Sequence, residues 1–121
     1  MSEQFNSSRP IYAQLVERLK ARILAGTYPP GGHLDSVRDL AAAAGVNPNT
    51  MQRALTELER DGLVYSQRTS GRYVTEDQDV ISAARHALAA GKVRTFLSDM
   101  TALGFEKEEL LSQLRQEMEK E

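Results

Sequence analysis

Two helical segments separated by only three residues constrain the fold of this chain more than any other feature. The first begins with a capping pattern from Ser36 to Asp39, in which Asp39 takes the place usually held by Glu or Gln, and it ends at Gly45. The tripeptide Val46-Asn47-Pro48 then offers an Asn for the N-cap and a Pro for the first position of the next helix. Two helices joined by a turn this short predict a helix-turn-helix.

A further helix is predicted before this pair. It starts at Pro10, ends at Gly26 and presents one apolar stripe at helical spacing. The next segment, Tyr28-Pro29-Pro30-Gly31-Gly32, cannot continue a helix, because proline lacks the amide donor and glycine favours turns. We interpret it as a tight connector. The stripe comprises Tyr12, Leu15, Val16, Leu19 and Ile23.

The second helix of the pair is predicted over residues 48–61, and a hairpin follows it. The buried stripe of this helix comprises Met51, Ala54, Leu55 and Leu58. Residues 63–75, called the wing below, carry β-prone segments on both sides of a turn, which is typical of a small hairpin. We therefore predict a mainly α fold with a small β-hairpin wing, in which a winged helix-turn-helix domain (residues 1–75) precedes a two-helix C-terminal extension (residues 76–121).

The C-terminal extension is predicted to form amphipathic helices over about 77–103 and about 106–119. The apolar face of the first shifts by roughly 120° near Gly91, which fits either a continuous helix that packs against two bodies or a break at Gly91. The apolar residues exceed what the winged helix needs, so we expect a homodimer that presents two reading helices to an inverted repeat. The predicted dimerisation residues are Val93, Phe96, Met100, Leu103, Leu110, Leu114 and Met118.

Charge is divided unevenly along the chain. The net charge of -2 and the pI of about 5.7 would by themselves argue against a nucleic-acid partner. Residues 1–75 nevertheless hold nine basic and seven acidic groups, a net of +2, so residues 76–121 carry -4. An anionic partner is therefore expected on the first part and self-association on the second.

Composition and the N-terminus exclude several classes of protein. The chain has no cysteine, which excludes disulfides, thiolate zinc sites and cysteine nucleophiles. The N-terminal MSEQFNSS lacks the basic start and apolar run of a signal peptide, and no apolar stretch approaches the roughly 20 residues that span a bilayer, so we expect a cytoplasmic protein with no membrane partner. His33 and His86 lie far apart in sequence and predict no metal site. No motif indicates a cofactor or a small-molecule effector.

The face of the 48–61 helix opposite its buried stripe carries polar side chains, several of which are long. It carries Asn49, Arg53, Thr56 and Arg60, with Thr50 and Gln52 on its flanks. Asn, Gln and Arg side chains can address base edges in a major groove, which admits one α-helix. Arg38 at the start of the preceding helix, and Arg68 and Arg72 beside the hairpin turn, are spaced to reach flanking phosphates. We therefore interpret the chain as a homodimer that binds double-stranded DNA through this helix.

A winged-helix module that binds an acidic protein through the same polar face is the alternative. Retention on heparin or DNA that falls with salt discriminates the two, since phosphate neutralisation releases counterions. An enzyme is disfavoured because no nucleophile, base and orienting group converge. The carboxylates of Glu106, Glu108 and Glu109 open a predicted helix, where negative charge favours the positive end of the helix dipole.

Five motifs resemble the winged-helix domain of GntR-family bacterial transcriptional regulators over about residues 9–75. They are Pro10-Ile11-Tyr12-Ala13-Gln14-Leu15, Gly26-Thr27-Tyr28-Pro29-Pro30-Gly31, Ser36-Val37-Arg38-Asp39-Leu40-Ala41, Gly45-Val46-Asn47-Pro48-Asn49-Thr50 and Gly71-Arg72-Tyr73-Val74. The short tail and the Asn-Pro-Asn-Thr turn are similar to the YtrA-like subfamily, whose tail dimerises and lacks the large effector domain of other branches.

The resemblance implies a homodimeric repressor of a double-stranded DNA operator, with DNA contacts on the third helix, at Arg38 and on the wing. This sequence departs from the family pattern at three places: Asp35 stands where proline is usual, Pro48 replaces an arginine common in other branches, and Thr69-Ser70 stands at a wing tip that is usually glycine-rich. The full predicted DNA-binding set is Ser36, Arg38, Asn47, Asn49, Thr50, Gln52, Arg53, Arg68, Thr69, Gly71 and Arg72.

Overall fold

The computed structural model describes residues 4–121, and within them it confirms the predicted mainly α fold with a β-hairpin wing. The elements in chain order are α1 (Ile11–Leu24), α2 (Val37–Ala44), α3 (Pro48–Arg60), β1 (Val64–Gln67), β2 (Gly71–Val74), α4 (Gln78–Ala102) and α5 (Lys107–Glu119). The chain divides into two compact units, of which the first ends at Ala84 and the second runs from Arg85 to Glu121.

The turn between α2 and α3 forms as its residues predict. Ser36 caps α2 by accepting a hydrogen bond on Oγ from the backbone N–H of Asp39, at 3.1 Å. Gly45 ends α2 in the left-handed region at a φ of 72°, a conformation that glycine adopts without steric cost. Asn47 then caps α3 by accepting from the backbone N–H of Asn49 at 2.7 Å. The predicted helix-turn-helix is therefore confirmed.

The three helices of this unit enclose one apolar core together with residues at the base of the wing. The predicted stripe of α3 forms part of it, since Met51, Ala54, Leu55 and Leu58 are all fully buried. Burial of this stripe turns the opposite, polar face of α3 outward. The remaining core residues include Leu15, Leu19, Ile23, Leu34, Leu40, Ala41, Ala44, Leu63, Val64 and Val74.

The wing is more extensive than the hairpin that the sequence predicts. β1 and β2 pair antiparallel in a register that sets Val64 opposite Val74 and Gln67 opposite Gly71. The connector and the residues just after it also pair with β2: Leu34 donates its N–H to the Arg72 carbonyl, and Val74 donates to that of Gly32, both at 2.9 Å. The Gly-rich connector is therefore a backbone partner of the wing as well as a turn.

α4 is one continuous helix through Gly91, which settles the choice that the sequence left open. Val80 and Ala84, in its first two turns, pack against the core of the first unit. This explains why the first unit extends to Ala84, beyond the end of β2 where the sequence pattern changes. α4 therefore begins in the first unit and continues in the second, and the boundary after Ala84 precedes the change of apolar face near Gly91.

The second unit leaves many apolar side chains exposed. α5 begins with a capping box in which the side chains of Glu106 and Glu109 each accept from the backbone N–H of the other residue. Leu110 is buried, at 8% exposure. The exposed large apolar side chains are Val93, Phe96, Leu97, Leu103, Leu111, Leu114 and Met118.

We expect Ile81→Ala to destabilise the protein by about 2–5 kcal/mol, because Ile81 is 4% exposed and its truncation leaves a cavity. Ser82→Ala, on the exposed side of the same turn, is the control and should change the free energy of unfolding by less than about 0.5 kcal/mol. Urea unfolding followed by circular dichroism measures both. Equal, small effects would show that the start of α4 contributes nothing to the first unit.

Candidate nucleic-acid interface

Residues 49–56 of α3 present a polar surface, called the reading face below. It consists of Asn49, Thr50, Gln52, Arg53 and Thr56, of which only Thr50 is half-buried. The side-chain amides of Asn49 and Gln52 make no hydrogen bond within residues 4–121, so their donors and acceptors are available to a partner. These are the groups that pair with adenine in a major groove, as arginine pairs with guanine.

The carboxylates of α3 and its C-cap lie in its C-terminal half, and each is ion-paired within the chain. The pairs are Glu57 with Arg60 at 2.6 Å, Glu59 with Arg72 at 2.5 Å, and Asp61 with Lys20 at 3.0 Å. The reading face itself contains no acidic residue. The acidic part of α3 is therefore both separated from the reading face and partly neutralised, which reduces its repulsion of an anionic partner.

Two predicted site residues serve first as helix caps. The hydroxyl oxygen of Ser36 and the side-chain oxygen of Asn47 accept backbone hydrogen bonds at the starts of α2 and α3. Each side chain keeps a donor, the Ser36 hydroxyl hydrogen and the Asn47 amide NH₂. Their role in the fold is therefore to orient the two helices, and their remaining donors lie at helix N-termini, where anions are favoured.

The basic residues predicted to contact phosphates fall into two groups. Arg38 and Arg68 are exposed, and in the described part of the chain neither makes an ion pair or a side-chain hydrogen bond. Thr69 lies next to Arg68 at the exposed wing tip. Arg72 differs, because its side chain is only 18% exposed and its Nε donates to Glu59. In this structure Arg72 therefore ties the wing to α3.

His33 is a structural residue of the wing that sequence reasoning missed. Its Nε2 donates to the Ser70 carbonyl at 2.6 Å, and its ring packs edge-on against Tyr73 with centroids 4.9 Å apart. Gly71 has a φ of 98°, and a Cβ there would lie 3.0 Å from His33 Nε2. Gly71 thus shapes the wing turn through its backbone. The stacking of Tyr65 on Tyr73, with ring centroids 5.8 Å apart, completes the aromatic support.

Two residues of α1 also have roles that the sequence did not indicate. Gln14 is 5% exposed, and its side chain accepts from the N–H of Asn6 and donates to the carbonyls of Asn6 and Arg9. It therefore fixes the segment that precedes α1. Tyr12 was expected only in the apolar stripe, but its half-buried ring lies against the guanidinium of Arg53. A polar or aromatic residue at a helical position carries no signal of such a long-range partner.

Other kinds of site find no support among residues 4–121. No three His, Asp or Glu side chains there lie close enough together to hold a metal ion. No helix in that part of the chain has both the length and the apolar character needed to cross a bilayer.

Comparison with known sequences identifies the family. The family described as "Bacterial regulatory proteins, gntR family" matches residues 11–74. Over 95% of both chains, the protein is 36% identical to the uncharacterised HTH-type transcriptional regulator YhcF of Bacillus subtilis. It is 34% identical to the HTH-type transcriptional repressor YtrA of the same organism, over 86% of this chain and 81% of the relative.

Solved structures agree with this comparison. A GntR family transcriptional regulator from Listeria monocytogenes is 39% identical and matches with a TM-score of 0.84, over 93% of this chain and 98% of that one. The DNA-binding domain of AraR, crystallised with its operator ORX1, is 27% identical and matches 62% of this chain and 93% of its own, with a TM-score of 0.54. The protein therefore belongs to the GntR family of bacterial transcriptional regulators, in its YtrA-like subfamily, and carries the family's winged-helix DNA-binding domain.

Proposed function

We propose that the protein is a cytoplasmic repressor that binds an inverted-repeat operator as a homodimer. In this proposal α3 enters the major groove with its reading face toward the bases. Arg38 and Arg68 contact the flanking phosphates and fix the register without reading sequence. Each protomer supplies one reading helix, so the two-fold axis of the dimer sets the spacing of the half-sites.

The observation that carries the proposal is the composition of the reading face. Two carboxamides, two hydroxyls and one guanidinium lie on α3 between Asn49 and Thr56, without a carboxylate among them. These side chains carry donors and acceptors that can address base edges in a major groove. Two related proteins also support the proposal. The DNA-binding domain of AraR was crystallised with its operator, and YtrA is named a transcriptional repressor.

The apolar surface of the second unit supports self-association. Leu103 is 72% exposed, Met118 65% and Val93 54%, and Phe96 and Leu114 are also exposed. Contiguous exposed apolar residues mark association sites on soluble proteins. We include Met100, which is half-buried, but not Leu110, because burial within its own chain leaves it little surface for a partner. A homodimer is favoured over another partner because closed two-fold assemblies are the commonest oligomers.

Selection from a random pool of DNA duplexes with the purified full-length protein tests the function directly. Recovery of an inverted repeat supports the proposal. Enrichment of no sequence, together with no binding to DNA or heparin at low salt, would favour the alternative of a protein-interaction module.

Arg53→Ala should lower the affinity for the selected operator more than the affinity for a scrambled duplex of equal length. A good bidentate contact of arginine with guanine contributes about 1–3 kcal/mol of discrimination. Titration of both duplexes at one salt concentration measures the specificity ratio. Arg60→Ala is the matched control, because Arg60 lies two turns further along α3 and is paired with Glu57. Equal losses on both duplexes for Arg53→Ala would identify a backbone contact only.

Arg38→Ala and Arg68→Ala should weaken binding to all sequences alike. Each variant should reduce the slope of log K against log salt by about 0.9, because one phosphate contact and its released counterion are lost. Arg115→Ala, at an exposed position of α5, removes the same charge far along the chain and should leave the slope unchanged. A slope equal to that of the wild type in both test variants would contradict their phosphate contacts.

The full chain should sediment as a dimer at tens of micromolar, and Phe96→Asp should shift it to a monomer, because the charge enters the apolar face of α4. Ser98→Asp places the same charge on the polar side of that helix and should leave the dimer intact. Since linked sites can raise avidity by about 10²- to 10⁴-fold, the monomeric variant should keep weak half-site binding and lose most operator affinity. A monomeric wild type would exclude the proposed dimer.

A further inference from the structure

The side chain of Arg53 extends from α3 and packs over the ring of Tyr12 at the start of α1. The guanidinium carbon is 3.6 Å from the ring centroid, well inside the roughly 6 Å within which a cation is attracted to an aromatic face. Tyr12 is half-buried, and its backbone belongs to the first turn of a helix that packs on α3. The ring is therefore a fixed platform, whereas the arginine is a long and flexible side chain.

No other group in the described chain competes with Tyr12 for Arg53. The acidic residue one turn further along α3, Glu57, is already paired with Arg60. Within residues 4–121, Arg53 makes no ion pair or side-chain hydrogen bond, so the five N–H donors of its guanidinium are unused. The ring contact restrains the arginine and leaves its N–H groups able to donate hydrogen bonds to a base.

The contact also places Arg53 beside the rest of the reading face. An open groove is lined by Arg53, Asn49 and Thr50 on α3 and by Pro10, Ile11 and Tyr12 at the start of α1. α1 thus supplies one wall of the surface on which α3 presents its N-terminal residues.

We propose that Tyr12 is a positioning residue for operator recognition: its ring holds Arg53 in place before DNA binds. This inference rests on the base-reading role of Arg53 proposed above. An arginine that is already ordered loses less side-chain freedom when it pairs with a base. The ring therefore increases the affinity for the operator relative to other DNA, through Arg53 and not through a contact of its own.

A double-mutant cycle in the full-length protein tests the coupling. The variants are Tyr12→Phe, Tyr12→Leu, Arg53→Ala and the double variant Tyr12→Leu/Arg53→Ala. Each is titrated with the selected operator duplex and with a scrambled duplex of equal length at one salt concentration. Tyr12→Leu should lower the specificity ratio by about two- to fivefold, the range expected for an exposed cation–π contact. Tyr12→Phe should keep the ratio, because the ring remains.

The effect of Tyr12→Leu in the Arg53→Ala background distinguishes a positioning role of Tyr12 from a purely structural one. There, Tyr12→Leu should have no further effect on the specificity ratio. A loss of equal size in both backgrounds would show that Tyr12 only stabilises α1, and would overturn the proposal. A uniform loss of affinity in Tyr12→Phe would instead assign the hydroxyl to a DNA backbone contact. A rise in the ratio in Tyr12→Leu would mean that the ring withholds Arg53 from DNA, which also contradicts the proposal.

NMR of the DNA-free protein supplies a readout that does not depend on affinity. The side-chain protons of Arg53 should be shifted upfield by the ring in the wild type and in Tyr12→Phe, and should return to ordinary values in Tyr12→Met, which fills the space without a ring. Unshifted Arg53 protons in the wild type would contradict the positioning role of Tyr12 without contradicting the proposed function. If Arg53→Ala leaves the specificity ratio unchanged, the base-reading role fails, and the positioning role fails with it.

Discussion

The three-residue turn between α2 and α3 is the constraint on which the rest of the first unit depends. Gly45 ends α2 in a left-handed conformation, and the side chain of Asn47 satisfies a backbone N–H at the start of α3. A turn this short cannot separate the helices, so both must bury their apolar faces in one shared core. Because the apolar stripe of α3 is fully buried in that core, the opposite side of the helix, which carries the reading face, must point outward.

Electrostatics then distinguishes the two halves of α3. The chain is acidic overall, yet a partner responds to the charges near the surface that it approaches, since charges beyond about 8–10 Å are screened at physiological salt. The carboxylates of α3 are gathered toward its C-terminal end and paired with arginine or lysine. Arg60 is largely exposed, so its pair with Glu57 adds little to stability and acts mainly on the local potential, whereas the partly buried pair of Glu59 with Arg72 also attaches the wing. A net charge of -2 is therefore compatible with a DNA-binding surface.

The wing depends on contacts between residues that are distant in sequence. Arg72 pairs with Glu59 of α3, and His33, directly after the connector, donates to the Ser70 carbonyl in the wing turn. The connector also exchanges backbone hydrogen bonds with β2. A two-stranded hairpin alone is marginally stable in water. These additional attachments explain how a short wing can hold Arg68 and Thr69 at a defined place beside α3.

The sequence by itself determined the helices, their caps and the polar face of α3. These are local properties: the spacing of Met51, Ala54, Leu55 and Leu58 fixes the buried stripe of α3, and the residues opposite must then face outward. The continuity of α4 through Gly91 and the extension of the first unit to Ala84 were decided by tertiary structure. The same is true of the contacts of His33, Arg72 and Tyr12, whose partners lie far along the chain. Periodicity reports which face of an element is buried, but the partner that buries it is chosen only when the elements pack together.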